Sequence, residues 1–141
     1  TFGKKILGRR MDDMFTHLSK LRTLILKGSG LSNFSRQLFV PLRDLIHLDL
    51  SSNKIRTLDA HLFQDLSNLQ YLNIDSNEII ELPETGLLSN LKSLNYFSMK
   101  RNKLTRVPIN TFEGAVNLTY LDIGNKELKY LPENMFKDIR S

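Results

Sequence analysis

Apolar and polar residues alternate through "LIHLDL" at 45–50, the period expected of a strand with one buried face. Two serines and Asn53 then break the alternation before Ile55 closes the stretch. Asparagine disfavours strands and favours turns, so the strand should end before Asn53. The same stretch returns as "LQYLNIDSNEI" at 69–79 and "LNYFSMKRNKL" at 94–104, which puts Asn77 and Asn102 in the same phase. Leucines at 21, 45, 69, 94 and 118 open five successive units, 24, 24, 25 and 24 residues apart.

Within each unit, positions 1, 4, 6 and 11 are apolar: Leu45, Leu48, Leu50 and Ile55 in the second, Leu69, Leu72, Ile74 and Ile79 in the third. Position 14 is apolar as well (Phe34, Leu58, Leu82, Val107, Leu131). Six residues before the next unit comes a bulky residue: Phe15, Phe39, Phe63, Leu88, Phe112, Phe136. A unit this short cannot close a core alone, so neighbouring units must stack to cover each other's leucines. Where each strand ends, backbone amides and carbonyls are buried between coils and need partners. An asparagine amide carries both a donor and an acceptor, so Asn53, Asn77 and Asn102 are expected to form an internal structural ladder.

The pattern LxxLxLxxNxL, with a late phenylalanine, resembles the leucine-rich repeat family, in particular its extracellular 24-residue class. The resemblance implies an α/β solenoid: a horseshoe arc with a concave parallel β-sheet and a convex side of turns and short helical segments. The units read as repeats 21–44, 45–68, 69–93, 94–117 and 118–141, after a partial repeat at 1–20 with Phe2 at position 6, Lys5 at the ladder position and Leu7 at position 11. The phenylalanines are expected to stack as a second buried spine beneath the convex side. Ser29 and Lys126 depart from the ladder in the first and last full units. Lysine accepts no hydrogen bond, so Asn125 would substitute there if the turn after Ile123 is reshaped. The extra residue in 69–93 falls near Pro83 to Leu87, where an irregularity is expected in "PETGLL".

Composition adds bounds. Of the 141 residues, 40% are hydrophobic and 25% charged, a globular balance. No apolar run approaches the roughly 20 residues that span a bilayer. The net charge of +5 lies in residues 1–70, which hold 11 Lys and Arg against 6 Asp and Glu; residues 71–141 are balanced at 9 each. Lys4, Lys5, Arg9, Arg10, Arg22 and Lys27 could therefore attract a polyanion, or form a solvated basic end. There is no cysteine, which removes disulfides and cysteine metal sites and, taken alone, favours a reducing compartment. Extracellular members of the family carry cysteine-rich caps, and neither end shows a cap. The expectation is an uncapped segment of a longer receptor-like chain, which takes the force from the missing cysteines.

No catalytic constellation is evident. His17, His47 and His61 differ in phase, "KGSG" at 27–30 does not continue as a phosphate loop, and the carboxylates are dispersed. The chain reads as non-enzymatic, without cofactor or metal. Two sequons occur, Asn33-Phe34-Ser35 and Asn117-Leu118-Thr119, and both asparagines are candidate glycosylation sites.

Outward strand positions should form columns across the sheet. Position 3 reads Thr23, His47, Tyr71, Tyr96, Tyr120, and position 5 reads Ile25, Asp49, Asn73, Ser98, Asp122. Positions 7 and 8, among them Ser51, Asp75 and Lys100-Arg101, are expected to be outward too. Tyrosine is enriched at binding hot spots, so Tyr71, Tyr96, Tyr120, Asp49, Asn73 and Asp122 form the candidate partner-binding patch. Alternatively the tyrosines only cover the sheet and stack on one another. Three functions follow: a protein-recognition segment of a secreted or cell-surface receptor, with Toll-type innate immune receptors as the nearest kind; a nucleic-acid or polyanion sensor; and an intracellular, cytoplasmic scaffold.

Overall fold

The structure is a computed structural model describing residues 13–137 and 139. Phe2, Lys4, Lys5, Leu7, Arg9 and Arg10 lie outside the described residues, so the readings placed on them go no further. The described chain forms one parallel sheet of five three-residue strands in sequence order. They are β1 (Thr23–Ile25), β2 (His47–Asp49), β3 (Tyr71–Asn73), β4 (Tyr96–Ser98) and β5 (Tyr120–Asp122). Each pairs in register with the next, so Leu24, Leu48, Leu72, Phe97 and Leu121 form one row. Leu48, Leu72 and Phe97 are fully buried. This is the solenoid expected of stacked 24-residue units.

The sheet bonding outlasts the strands. Leu50 N donates to Asn73 O (2.8 Å) and Ser52 N to Asp75 O (2.9 Å), and equivalent bonds link every adjacent pair of coils. The chain then turns at a residue with positive φ: Gly28, Ser52, Ser76 or Arg101, all between 55° and 65°. Past the turn the direction of donation reverses, with Lys54 N bonding Leu31 O, Glu78 N bonding Ile55 O and Lys103 N bonding Ile79 O.

Each convex return segment ends in two consecutive turns. Leu42 N bonds Phe39 O and Leu45 N bonds Leu42 O, a pattern repeated at 63–69, 88–94 and 112–118. Bonds three residues apart put every third side chain on one side, which is why the bulky residue sits six before the next leucine. Helix is scarce among residues 14–137, where a 3-10 helix spans Arg36–Leu38. The phenylalanine spine is interrupted at Leu88, where the sequence already carries leucine. Phe39 lies 6.0 Å from Phe63 and Phe112 lies 5.7 Å from Phe136, but buried Leu88 separates the two pairs. Phe136 is 42% exposed, so it closes no core.

Gly86, at φ +89°, turns the chain in the longer unit. Close by, Arg106 grips Glu84 with bonds of 2.8 and 3.4 Å, which hold the Glu84 carboxyl below its ordinary range. Arg36 and Asp65 make a second two-bond bridge between coils, at 2.7 and 3.0 Å.

Candidate functional site: the outward face of the sheet

The ladder asparagines set the edge of this face. Asn53 Oδ1 accepts from Ser29 N (2.9 Å) and Leu31 N (3.0 Å), while its Nδ2 donates to the carbonyls of Leu26, Leu50 and Ser51. Asn77 accepts from Ile55 N and donates to Leu50 O, Ile74 O and Asp75 O. Asn102 accepts from Ile79 N and donates to Ile74 O, Met99 O and Lys100 O. In the last unit Asn125 takes over from Lys126: its Oδ1 accepts from Asn102 N (2.9 Å) and Leu104 N (3.3 Å). Asn53, Asn77 and Asn102 are buried, and each links two coils.

Strand register places position 3 in one row, and the rings in it stack. His47 lies over Tyr71 with centroids 3.9 Å apart and 6° between planes. Tyr71–Tyr96 and Tyr96–Tyr120 follow at 4.3 Å each, 13° and 3° from parallel. Tyr71 and Tyr96 have both ring faces covered, so they offer ring edges and hydroxyls, while Tyr120 at the end of the stack is 43% exposed. Burial, with Tyr71 and Tyr120 on either side, pushes the Tyr96 hydroxyl well above its ordinary value. Asn73 Nδ2 donates to the Tyr71 hydroxyl at 3.3 Å.

Position 5 is less free than its alternation suggests. Asp49 Oδ1 accepts from Ser51 N, Asn73 Oδ1 from Asp75 N and Asp122 Oδ1 from Gly124 N, at 2.8–3.0 Å. Each side chain thus caps the turn that follows its own strand, as short Asx side chains do. Ser98 lacks the reach. Asp75 of the preceding coil serves instead, accepting from Lys100 N (3.0 Å) and from the Ser98 hydroxyl (2.5 Å).

That arrangement corrects two expectations. Ser98 is fully buried rather than outward, and Ser51 and Asp75 at position 7 are buried also. The structure therefore brings Tyr71, Tyr96 and Tyr120 together on one face, with Asp49, Asn73 and Asp122 alongside as partly engaged groups. Lys100 Nζ approaches Asp122 at 3.9 Å. Sequence reasoning left out His47, although it shares position 3 with the tyrosines. It also missed the Asp75–Ser98 pair, whose one signal is a serine where its neighbours carry Asp or Asn. Arg22 and Lys27 are exposed. Among the described residues no group of three or more His, Cys, Asp and Glu could hold a metal ion.

A parallel sheet built one strand per coil, edged by an asparagine ladder, defines a repeat solenoid. Family models agree: "Leucine rich repeat" matches residues 19–79 and "BspA type Leucine rich repeat region (6 copies)" matches 78–141. This chain belongs to the leucine-rich repeat family. Among solved structures it is similar to the APL1 leucine-rich repeat domain (TM-score 0.82, 23% identity, 91% of this chain and 34% of that one). It is also similar to the leucine-rich repeat domain of APL1B (0.77, 25%, 92% and 39%). A third likeness is to the Toll–Spatzle complex, described as a hub in Drosophila development and innate immunity (0.78, 22%, 90% and 17%). The chain spans less than two fifths of each of these structures. No curated protein matches the sequence. Among the described residues no helix is long and apolar enough to cross a membrane.

Proposed function

We propose that this chain is a non-catalytic protein-recognition segment of a secreted or cell-surface receptor of the Toll-like, innate immune kind. Its partner is a protein held against the outward sheet face at Tyr71, Tyr96 and Tyr120, with Asp49, Asn73 and Asp122 as flanking polar contacts. The observation that carries the reading is the stacked aromatic column. Stacking has already restricted the ring rotamers, so a partner loses little side-chain entropy in meeting them. The ring edges supply apolar area and the hydroxyls supply direction, the combination that concentrates binding energy in a few residues. Likeness to APL1 and to Toll supports the receptor reading at the level of fold.

The test passes a panel of secreted proteins over the immobilised chain and over a Tyr96→Ala/Tyr120→Ala variant. The expected outcome is a partner whose affinity falls at least tenfold in the variant, about 1.4 kcal/mol, while the melting curve keeps its cooperativity. A partner that binds both forms equally would refute the assignment to this face.

A further inference from the structure

The two sequons are built differently, and we propose that Asn33 is an N-linked glycan acceptor whereas Asn117 is a structural residue that carries none. Asn33-Phe34-Ser35 leads extended into the 3-10 helix, with Ser35 at φ −119° and ψ 173°. Alternation along an extended chain turns Phe34 one way and its neighbours the other. Phe34 is half-buried, its ring edge-on to Phe39 at 5.8 Å, while Asn33 and Ser35 are exposed. Among the described residues no hydrogen bond reaches the Asn33 side chain. It borders an open hollow of about 310 Å³ with Ser32, Thr57 and Asp59, off the strand face and beyond the Gly28–Gly30 turn. A sugar there has room, and polar neighbours to meet.

In Asn117-Leu118-Thr119 the two polar residues are exposed as well, and the difference lies in their bonding to the coil before. Asn117 Nδ2 donates to Lys92 O at 2.7 Å, as Asn68 Nδ2 does to Arg43 O at 3.0 Å two units earlier. Leu118 is fully buried, and the Thr119 hydroxyl donates to Asn95 O at 3.1 Å. Both polar members of this sequon therefore hold the preceding coil's backbone.

The donor would be an oligosaccharide linked through pyrophosphate to a lipid carrier. The Asn33 amide nitrogen bonds to the anomeric carbon and loses a proton to the transferase's base. The anomeric C–O bond breaks, and the lipid pyrophosphate leaves with the bonding pair. No oxidation state changes.

The experiment secretes the full chain from a eukaryotic host behind an appended signal peptide and reads intact mass before and after amidase removal of N-glycans. One glycan is expected, lost in Asn33→Gln and retained in Asn117→Gln and in Thr119→Ala. Asn117→Gln should lower the melting temperature, whereas Asn33→Gln should melt where the amidase-treated unmutated protein does. If Asn33→Gln fails to be secreted, peptide mapping of the unmutated protein reads the occupied asparagine directly. Secreted protein without sugar at Asn33, or with sugar at Asn117, overturns the assignment. Neither result bears on the tyrosine face, which is tested by affinity.

Discussion

Asn77 shows what one side chain does here. Its amide meets three carbonyls and one amide nitrogen drawn from two coils, all inaccessible to water. A buried polar group left unpaired costs roughly 1–3 kcal/mol. Asn77→Ala strands the Ile55 amide, while Leu50 O, Ile74 O and Asp75 O keep donors in Asn53, Asn102 and Ser52, so it should destabilise by about 1–3 kcal/mol, read as a shift in the denaturant midpoint. A loss under 1 kcal/mol would mean that water replaces the amide readily. Gly114 is constrained for a different reason. It holds φ +89°, and an added Cβ would lie 2.7 Å from Ser89 Cα and closer still to Ser89 O. Gly114→Ala must therefore move backbone, and the expected cost is about 3 kcal/mol, measured in the same way.

At the scale of the element, each strand is only three residues long, and all but β1, which ends in Ile25, are finished by a side-chain cap. Asp49, Asn73 and Asp122 cap their own turns, while the turn after β4 borrows Asp75 from the coil before. Asp75→Ser alone leaves Lys100 N and the Ser98 hydroxyl without their acceptor and should be destabilising. Adding Ser98→Asn supplies the missing self-cap, in the manner of Asn73, and should restore most of the loss. A double-mutant cycle gives the coupling; additive effects would show that the two residues act independently. The row of rings is also an element-scale property, since no single strand contains more than one of them.

At the scale of the molecule, stability accrues from coil to coil, because the coils follow one another in the sheet and each strand pairs only with its neighbours. Leu72 is fully buried between two coils, whereas Leu121, the equivalent residue of β5, is half-buried. Leu72→Ala should cost about 2–5 kcal/mol and Leu121→Ala distinctly less. Hydrogen exchange should show the same gradient, with β3 amides protected longest. Equal costs at the two sites would contradict neighbour-by-neighbour stability. The binding face has the same origin: it exists because five coils hold register, and loosening one coil should misalign rings on either side of it.

Much of this organisation could be read along the chain, because period is a local property. The recurrence of leucine at positions 1, 4 and 6 specifies which side of each strand is buried. The phase of Asn53, Asn77 and Asn102 specifies where the strand gives way to the turn. The columns at positions 3 and 5 follow by arithmetic, and so Tyr71, Tyr96 and Tyr120 could be grouped without coordinates. Distances between side chains of different coils are not local, and only the tertiary structure decided them. It drew His47 into the ring stack, buried Ser98 beneath a carboxylate from another coil, gave the last turn the shape that lets Asn125 take the ladder role, left Phe136 half-open to solvent, and bound Asn117 to Lys92 while no hydrogen bond among the described residues reaches the Asn33 side chain. A sequence repeat states what each coil must bury; what a side chain then reaches depends on the few ångströms that separate one coil from the next.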